Sequence, residues 1–497
     1  MARVEEFLAK QVTARPDAIA LKDSLGVVWT YGDLDAASDA LAEVLSAAGV
    51  RANDRILMLS ENCTTAVAAL FAAWKIDAVI IPVNARQTEA EVTRIIAHAT
   101  PAAVLLTTEV SRDALDHAAR MEAVAKEGAF GGLHLAQLTS SPDVDLSDVA
   151  VMLYTTGTTG DPKGVMLSHD NMRFGGIASY NLRQMTPDDV VYGVLPLTHV
   201  FGLISVVIAT CYAGATVQQE ARFSAASLYS AAMNGVTVLP AVPQMHALVM
   251  QYTKEQGLTE LRSPGLRYVS SGGAPLDPAW KRKAEAFYGL PLQNGFGMTE
   301  TSSGASATDN ALGSTDVSVG PPTPGTQVRI DDRAPGGNGA GEGEVLVRGP
   351  HVMRGYYRNP VETEKALDSE GWLHTGDLGK LDEEGLLHIL GRSKELIIHG
   401  GFNVYPPEVE AALNDHPQVI QSAVIGRMSD GDEQVLAFVQ IAEGDQVDPA
   451  VLRQFVGERL AGYKRPSQII VVHRLPAAPT GKILKHKLLE TFAARLT

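Results

Sequence analysis

Short apolar runs alternate with helical patterns along the first third of the 497-residue chain, and no other feature limits the possible folds as strongly. Arg55–Ser60 is such a run, and the helical pattern Thr64–Trp74 follows it. Ala78–Pro82 repeats the strand signal, Glu89–Ala99 the helix, and Ala102–Thr107 the strand again. Strands that are apolar throughout are buried on both faces, and strands separated by helices pair in parallel. The fold class is therefore α/β, a large N-terminal region of doubly wound sheets. Thr30-Tyr-Gly-Asp33 carries a helix-start signal ahead of an Ala/Leu-rich stretch that Gly49 ends. A second alternating block runs from Val190 to Tyr268.

After Gly320 the texture changes to short strands broken by turn clusters such as Ala334–Gly341, which predicts a small β subdomain. Beyond Arg392 the pattern predicts a compact α+β unit. Its helices are expected over Glu408–Leu413 and Pro449–Leu460, and its strands over Ser422–Ile425 and Val435–Ile441. The expected division is a large domain over 1–391 and a small mobile domain over 392–497. No internal repeat is visible.

Composition removes several classes of function. The chain is 45% hydrophobic without a low-complexity tract, so it is expected to fold throughout. Two cysteines, Cys63 and Cys211, make neither a disulfide framework nor a zinc site alone. No signal-peptide h-region and no apolar run of about 18 residues occurs, so a cytoplasmic protein without a membrane span is expected. A net charge of −16 argues against nucleic acid as a partner. The charge is uneven, however: residues 451–497 hold nine basic side chains and two acidic ones, a local excess suited to an anionic ligand.

The sharpest chemical signal is Tyr154-Thr-Thr-Gly-Thr-Thr-Gly-Asp-Pro-Lys-Gly-Val-Met-Leu-Ser-His169. Hydroxyl residues, two glycines and a lysine make a loop whose backbone N–H groups can approach phosphate oxygens closely. It follows the apolar run Val149–Leu153 but lacks the G-x-x-x-x-G-K-[ST] spacing, because Gly164 follows Lys163. Seven further motifs accompany it in order: Leu195–His199, Ser271–Pro275, Asn294–Glu300, Trp372–Asp377, Gly391–Ile397, Gly400–Pro406 and Pro479–Ile483. With these motifs nearly the whole chain resembles the acyl-CoA synthetase, adenylation-domain and luciferase superfamily of adenylate-forming enzymes. Its motifs are closest to those of acyl- or 4-coumarate-type CoA ligases.

The resemblance implies a reaction in two halves. A carboxylate attacks the α-phosphate of ATP and releases pyrophosphate, and the acyl group then passes to a thiol, here that of coenzyme A. It implies that Thr155, Thr156, Gly157, Thr158, Thr159, Gly160 and Lys163 hold the β- and γ-phosphates. Glu300 resembles the Mg²⁺ ligand, a role that suits the oxygen preference of a hard cation. Thr299 beside it would touch the α-phosphate, and Asp377 would accept both ribose hydroxyls. Arg392 would bond ribose or phosphate. Gly272, Gly273, Ala274, Pro275, Asn294, Gly295, Phe296 and Gly297 would frame the adenine and acyl sites. Lys394 occupies the hinge position, Gly400 and Gly401 the segment lining the pantetheine tunnel, and Lys482 the position of the mobile catalytic lysine.

His199 stands where acyl- and aryl-CoA members carry an aromatic gate near the substrate carboxylate. His169, His246, His399 and His416 lack metal-ligand spacing and are expected to be structural or exposed. Amino-acid-activating domains place an aspartate near this stretch, and Thr198–Leu203 offers no carboxylate. Val200, Phe201, Met245 and Met298 are the expected acid-pocket wall, and Val242–Ala247 contains neither Arg nor Lys. The expected activity is an AMP-forming acid–thiol ligase acting on a monocarboxylic fatty or aromatic acid. A carrier-protein-loading adenylation domain and a luciferase-like oxygenase are the alternatives. The sequence does not specify an oligomeric state.

Overall fold

The structure, a computed structural model, describes residues 2–140, 145–156, 162–273, 276–429, 432–478 and 483–496. Two eight-stranded sheets form the large N-terminal region. In the first, strands Val149–Thr156, Val79–Asn84, Arg55–Ser60 and Ala103–Leu106 lie parallel in that order. The strand Arg55–Ser60 explains its own sequence. Ile56 and Met58 enter one hydrophobic core, while Leu57 and Leu59 enter another across the sheet. Period-two alternation with both faces apolar gives an unbroken apolar run.

The helix Thr64–Lys75 is buried through Trp74 and packs in the core shared by the two sheets. That position accounts for its lack of a polar face. Helix Tyr31–Ala47 begins as the sequence indicates. The Thr30 hydroxyl accepts from the Asp33 N–H at 3.0 Å, and the Asp33 carboxylate accepts from the Thr30 N–H at 2.9 Å. Such reciprocal caps satisfy two otherwise orphaned donors.

The second sheet carries parallel strands Leu292–Phe296, Tyr268–Gly272, Val238–Ala241, Val190–Gly193, Thr216–Gln219 and Ile19–Lys22. Between its strands the chain forms a π-helix, Phe201–Ile208, that no periodicity announced. A four-stranded antiparallel sheet, Gln327–Asp331 to Leu387–Arg392, supplies the β subdomain. The C-terminal region is α+β, with the sheet Gln421–Ser429, Asp432–Gln440 and Gln468–Val472 carrying helices Pro406–Asn414 and Pro449–Gly457. Expected bounds shift at element ends: Ala78–Pro82 is observed as Val79–Asn84, and Pro449–Leu460 stops at Gly457.

No described helix is long and apolar enough to cross a membrane.

Candidate functional site

The strand Val149–Thr156 does not feed a helix, as a nucleotide-binding strand–loop–helix unit would. It turns back as strand Pro162–Ser168, with Thr155 opposite Lys163 and Thr156 opposite Pro162. The two described strands on either side of the hydroxyl-rich segment therefore pair antiparallel. Gly157, Thr158, Thr159 and Gly160 lie outside the described residues, as does the Thr156 side chain. Lys163, at the return, reaches Glu362 in an ion pair and sits 5.3 Å from the centroid of the Tyr356 ring. Glu362 belongs to helix Pro360–Ala366, whose N-terminus is capped by Asn359. Hydrogen bonds from Lys163 and Lys365 pull its carboxyl down to about 2.

The parallel strands Tyr268–Gly272 and Leu292–Phe296 end side by side, with Ser271 opposite Asn294 and Gly272 opposite Gly295. Carboxyl ends of parallel strands are where open α/β sheets hold ligands. Two glycines there are required by crowding. A Cβ on Gly272 would lie 2.8 Å from Phe201 Cε1, and one on Gly297 would overlap the Ser303 carbonyl. Gly273 instead has φ +82. Asn294 is buried, its amide donates to the Ser318 carbonyl at 3.3 Å, and its Oδ1 has no hydrogen-bond partner among the described residues. An unpaired buried acceptor between two small-residue strands suits a ligand amino group. Ala274 and Pro275 are outside the described residues.

Phe296 closes the strand, and after Met298 the chain makes a 3₁₀ turn, Thr299–Thr301, that buries both Thr299 and Glu300. Ser302 and Ser303 leave it at φ 49 and φ 98, a left-handed path uncommon for residues with a side chain. The Glu300 carboxylate accepts from the Tyr356 hydroxyl at 2.9 Å through Oε1. No cluster of three or more His, Cys, Asp or Glu occurs among the described residues. A single buried carboxylate whose turn packs against the strand Pro162–Ser168 fits Mg²⁺, which takes one or two carboxylates and completes its shell with water and substrate phosphates.

Asp377 and Arg392 face each other across antiparallel strands, with Arg392 Nε 3.2 Å from Asp377 Oδ1. Asp377 is buried and Arg392 is half exposed, so the pair offers an acceptor-only acid and a cation at one edge of the β subdomain.

On the acid side, Val200 and Met245 are buried and Phe201 opens the π-helix with its ring against Gly272. π-Helical turns are frequent at functional sites. Met298 packs half-buried against the same core. His199 is exposed, and its Nδ1 accepts the Phe201 N–H at 3.3 Å. A cavity of about 180 Å³ adjoins this wall, lined by Thr198, Met245, Glu61, Asn62, Arg86 and Arg222. The Glu61 side chain is wholly buried, 3.1 Å from Arg86 and 2.9 Å from Arg222.

Lys394 lies in a short 3₁₀ turn, Ser393–Glu395, directly after the β subdomain. Gly400 and Gly401 form the two-residue tip of the hairpin Ile397–His399/Phe402–Val404, with φ +58 and +80. A tip of this kind needs positive φ at both positions. The Gly400 N–H donates to Asp432 at 3.0 Å, anchoring the tip within the C-terminal region. Lys482 is outside the described residues.

The chain thus gathers Lys163, Glu300, Asp377 with Arg392, Asn294, and the Phe201–Gly272 contact on the large region, and holds Gly400 and Gly401 on the small one. Of the remaining histidines, His169 and His246 are buried, as expected of structural residues. Sequence reading missed Tyr356, Glu362 and the Glu61–Arg86–Arg222 cluster. Asn359-Pro-Val-Glu362, a helix start with an acid in its first turn, was the one local signal among them.

The model of the AMP-binding enzyme family matches residues 8–357, and that of the AMP-binding enzyme C-terminal domain matches 408–482. A feruloyl-CoA synthase from Amycolatopsis sp is 34% identical, covering 96% of this chain and 96% of its own. 4-Coumarate–CoA ligase 5 of Oryza sativa subsp. japonica is 32% identical over 99% of this chain and 95% of its own. The crystal structure of ATP-bound MatB from Rhodopseudomonas palustris superposes with a TM-score of 0.82 at 31% identity, over 99% of both chains.

Proposed function

The chain belongs to the AMP-binding enzyme family and is an ATP-dependent, AMP-forming acid:CoA ligase; on that premise we propose that its acid is monocarboxylic with an uncharged aliphatic or aromatic tail. ATP and CoA are its co-substrates and Mg²⁺ its metal. One observation carries the reading of the acid. The wall beside the Phe201–Gly272 contact is apolar, and the two cations in the adjoining cavity, Arg86 and Arg222, are already balanced by two carboxylates, the buried Glu61 that touches both and Asp113 on Arg222. A second carboxylate there would stay unpaired, and an unpaired buried charge costs several kcal/mol, roughly a hundredfold or more in kcat/KM.

The site residues take the following parts in this reading. Thr155 and Lys163, with the loop between them, hold the polyphosphate. Glu300 holds Mg²⁺, which offsets charge on the phosphates. Thr299 touches the α-phosphate, Asp377 and Arg392 take the ribose, and Gly272, Gly273, Asn294, Gly295, Phe296 and Gly297 form the adenine cleft. His199 gates the carboxylate. Residues 392–497 act as the mobile domain, with Lys394 as hinge, Gly400 and Gly401 along the pantetheine path, and Lys482 as the cation on the α-phosphate oxygens. Cys63 and Cys211 are buried free thiols, which supports the cytoplasm as its compartment.

CoA-thioester formation compared across octanoate, benzoate, cinnamate, malonate, sulfoacetate and phenylalanine tests the substrate reading. Octanoate, benzoate or cinnamate is expected to lead. A clear win for malonate or sulfoacetate would mean that Arg86 or Arg222 leaves Glu61 for the substrate, and a win for phenylalanine would place an ammonium partner in the pocket.

A further inference from the structure

The segment Met353–Tyr357 runs between the two phosphate-side elements and touches both. The Met353 N–H donates to the Glu300 carbonyl at 2.8 Å. Gly355 and Tyr356 then pair antiparallel with Met166 and Val165, on the strand that leaves the hydroxyl-rich loop, and the Tyr357 N–H donates to the Gly164 carbonyl at 2.8 Å. Within this segment Tyr356 is held from below, its N–H donating to Thr363 Oγ1 at 2.9 Å. Gly355 permits that approach, since a Cβ there would stand 2.7 Å from Thr363 Cγ2 and its φ is +138. The side chain of Tyr356 is thereby aimed at two groups at once. Its hydroxyl donates to Glu300 Oε1, and its ring face lies beneath the Lys163 ammonium, which Glu362 of the following helix also grips.

We propose that Tyr356 is a positioning residue for adenylation: its hydroxyl orients the Glu300 carboxylate for Mg²⁺, and its ring sets Lys163 for the polyphosphate. The proposal rests on the reading of Glu300 and Lys163 given above. The physical case is one of division of labour. A carboxylate with two equivalent oxygens has no preferred rotation. A hydroxyl fixed on Oε1 leaves Oε2 as the oxygen presented to a metal, and groups that orient metal ligands are worth about 10- to 100-fold in affinity. The ring stabilises the ammonium through its negative face without adding a counter-charge that phosphate would have to displace. One side chain therefore keeps the metal ligand and the phosphate cation in a fixed relation before ATP arrives.

Full-length Tyr356→Phe keeps the ring and deletes the hydroxyl, and Tyr356→Leu deletes both. Pyrophosphate exchange would be measured against Mg²⁺ concentration, and ATP binding would be followed calorimetrically with and without Mg²⁺. For Tyr356→Phe the half-saturating Mg²⁺ should rise about tenfold, with the maximal rate nearly kept, metal-free ATP binding unchanged and the melting temperature near wild type. Tyr356→Leu should weaken metal-free ATP binding as well. Glu300→Gln and Lys163→Gln are the reference variants. If Glu300→Gln shifts the Mg²⁺ dependence but Tyr356→Phe leaves it at wild type in both measurements, Tyr356 only fills space and the proposal is overturned. If Glu300→Gln itself leaves the Mg²⁺ dependence and exchange activity intact, the metal-ligand reading falls and takes the proposal with it.

Discussion

The phosphate side of the large domain and the Gly400–Gly401 hairpin of the small domain solve opposite problems. Around Glu300 and Lys163 the chain interlocks. A buried carboxylate, a tyrosine hydroxyl, a cation over a ring and an ion pair join elements that lie up to 199 residues apart. The hairpin is tied inside the small region instead: Gly400 bonds Asp432, the Ile398 N–H donates to Glu433 at 2.6 Å, and Phe402 stacks on Tyr463 at 4.7 Å, while Ile398 and Phe402 stay 52% and 56% exposed. Its shape comes from turn geometry and from neighbours close to it in the same region. Groups that stabilise developing charge gain from being fixed beforehand. In the reading proposed above, the hairpin arrives only for the second half-reaction, and a segment of that kind gains from carrying its conformation locally, so that it survives movement of the whole domain.

Separating the half-reactions should break this comparison most visibly. Lys482→Ala is expected to lower acyl-AMP formation by roughly 10²–10³, the scale of losing one fixed charge-stabilising group. Transfer from supplied acyl-AMP to CoA should stay largely intact. Lys394→Pro should do the reverse, because a fixed φ restricts the hinge while a single conformation still adenylates. Stopped-time assays of each half-reaction read both variants. Equal loss of both steps in both variants, at unchanged melting temperature, would remove the rotating-domain reading.

A smaller effect sharpens the hairpin half of the contrast. Among the described residues, its chain neighbours aside, no atom lies within 4 Å of the Cβ position of Gly401, so a side chain there meets strain from φ +80 rather than a described clash. Gly401→Val should cost about 1–2 kcal/mol locally, the strain of a β-branched residue in the left-handed region. Thioester formation should fall about tenfold or more, with pyrophosphate exchange unchanged. Exchange falling in parallel would show that the tip serves adenylation too.

The smallest expected effect is a pH dependence of the interlocked region. His351 is fully buried, stacks on Phe174 at 5.4 Å, has neither ring nitrogen hydrogen-bonded among the described residues, and burial holds its imidazole down to about 4. The unfolded chain, with a histidine near 6.5, binds the proton first as pH falls. The contribution of His351 is therefore complete above about 6.5 and is lost progressively toward 4. His351→Met should flatten the melting temperature across that window. A profile identical to wild type would assign the window to other buried histidines such as His246, which burial also holds at about 4.

Much of this was legible in the amino acids. The run Arg55–Ser60 announced a strand buried on both faces, and Thr30 with Asp33 announced a capped helix. Each of these rests on interactions within a few residues, or on burial that leaves a local pattern. The order of the motifs likewise identified the adenylate-forming chemistry. The sequence could not show that Tyr356 belongs with Glu300 and Lys163, that Glu362 would hold Lys163, or that Glu61 would pair with two arginines. An isolated tyrosine or glutamate carries no mark of its partner, because a hydrogen bond or ion pair depends on distance in space and not along the chain. The π-helix Phe201–Ile208 was hidden for a related reason: its residues are almost all apolar and buried, so no polar face recorded its pitch. Those arrangements were decided only when the two sheets packed and the strand Gly355–Tyr356 joined the first of them at the edge of the strand Pro162–Ser168.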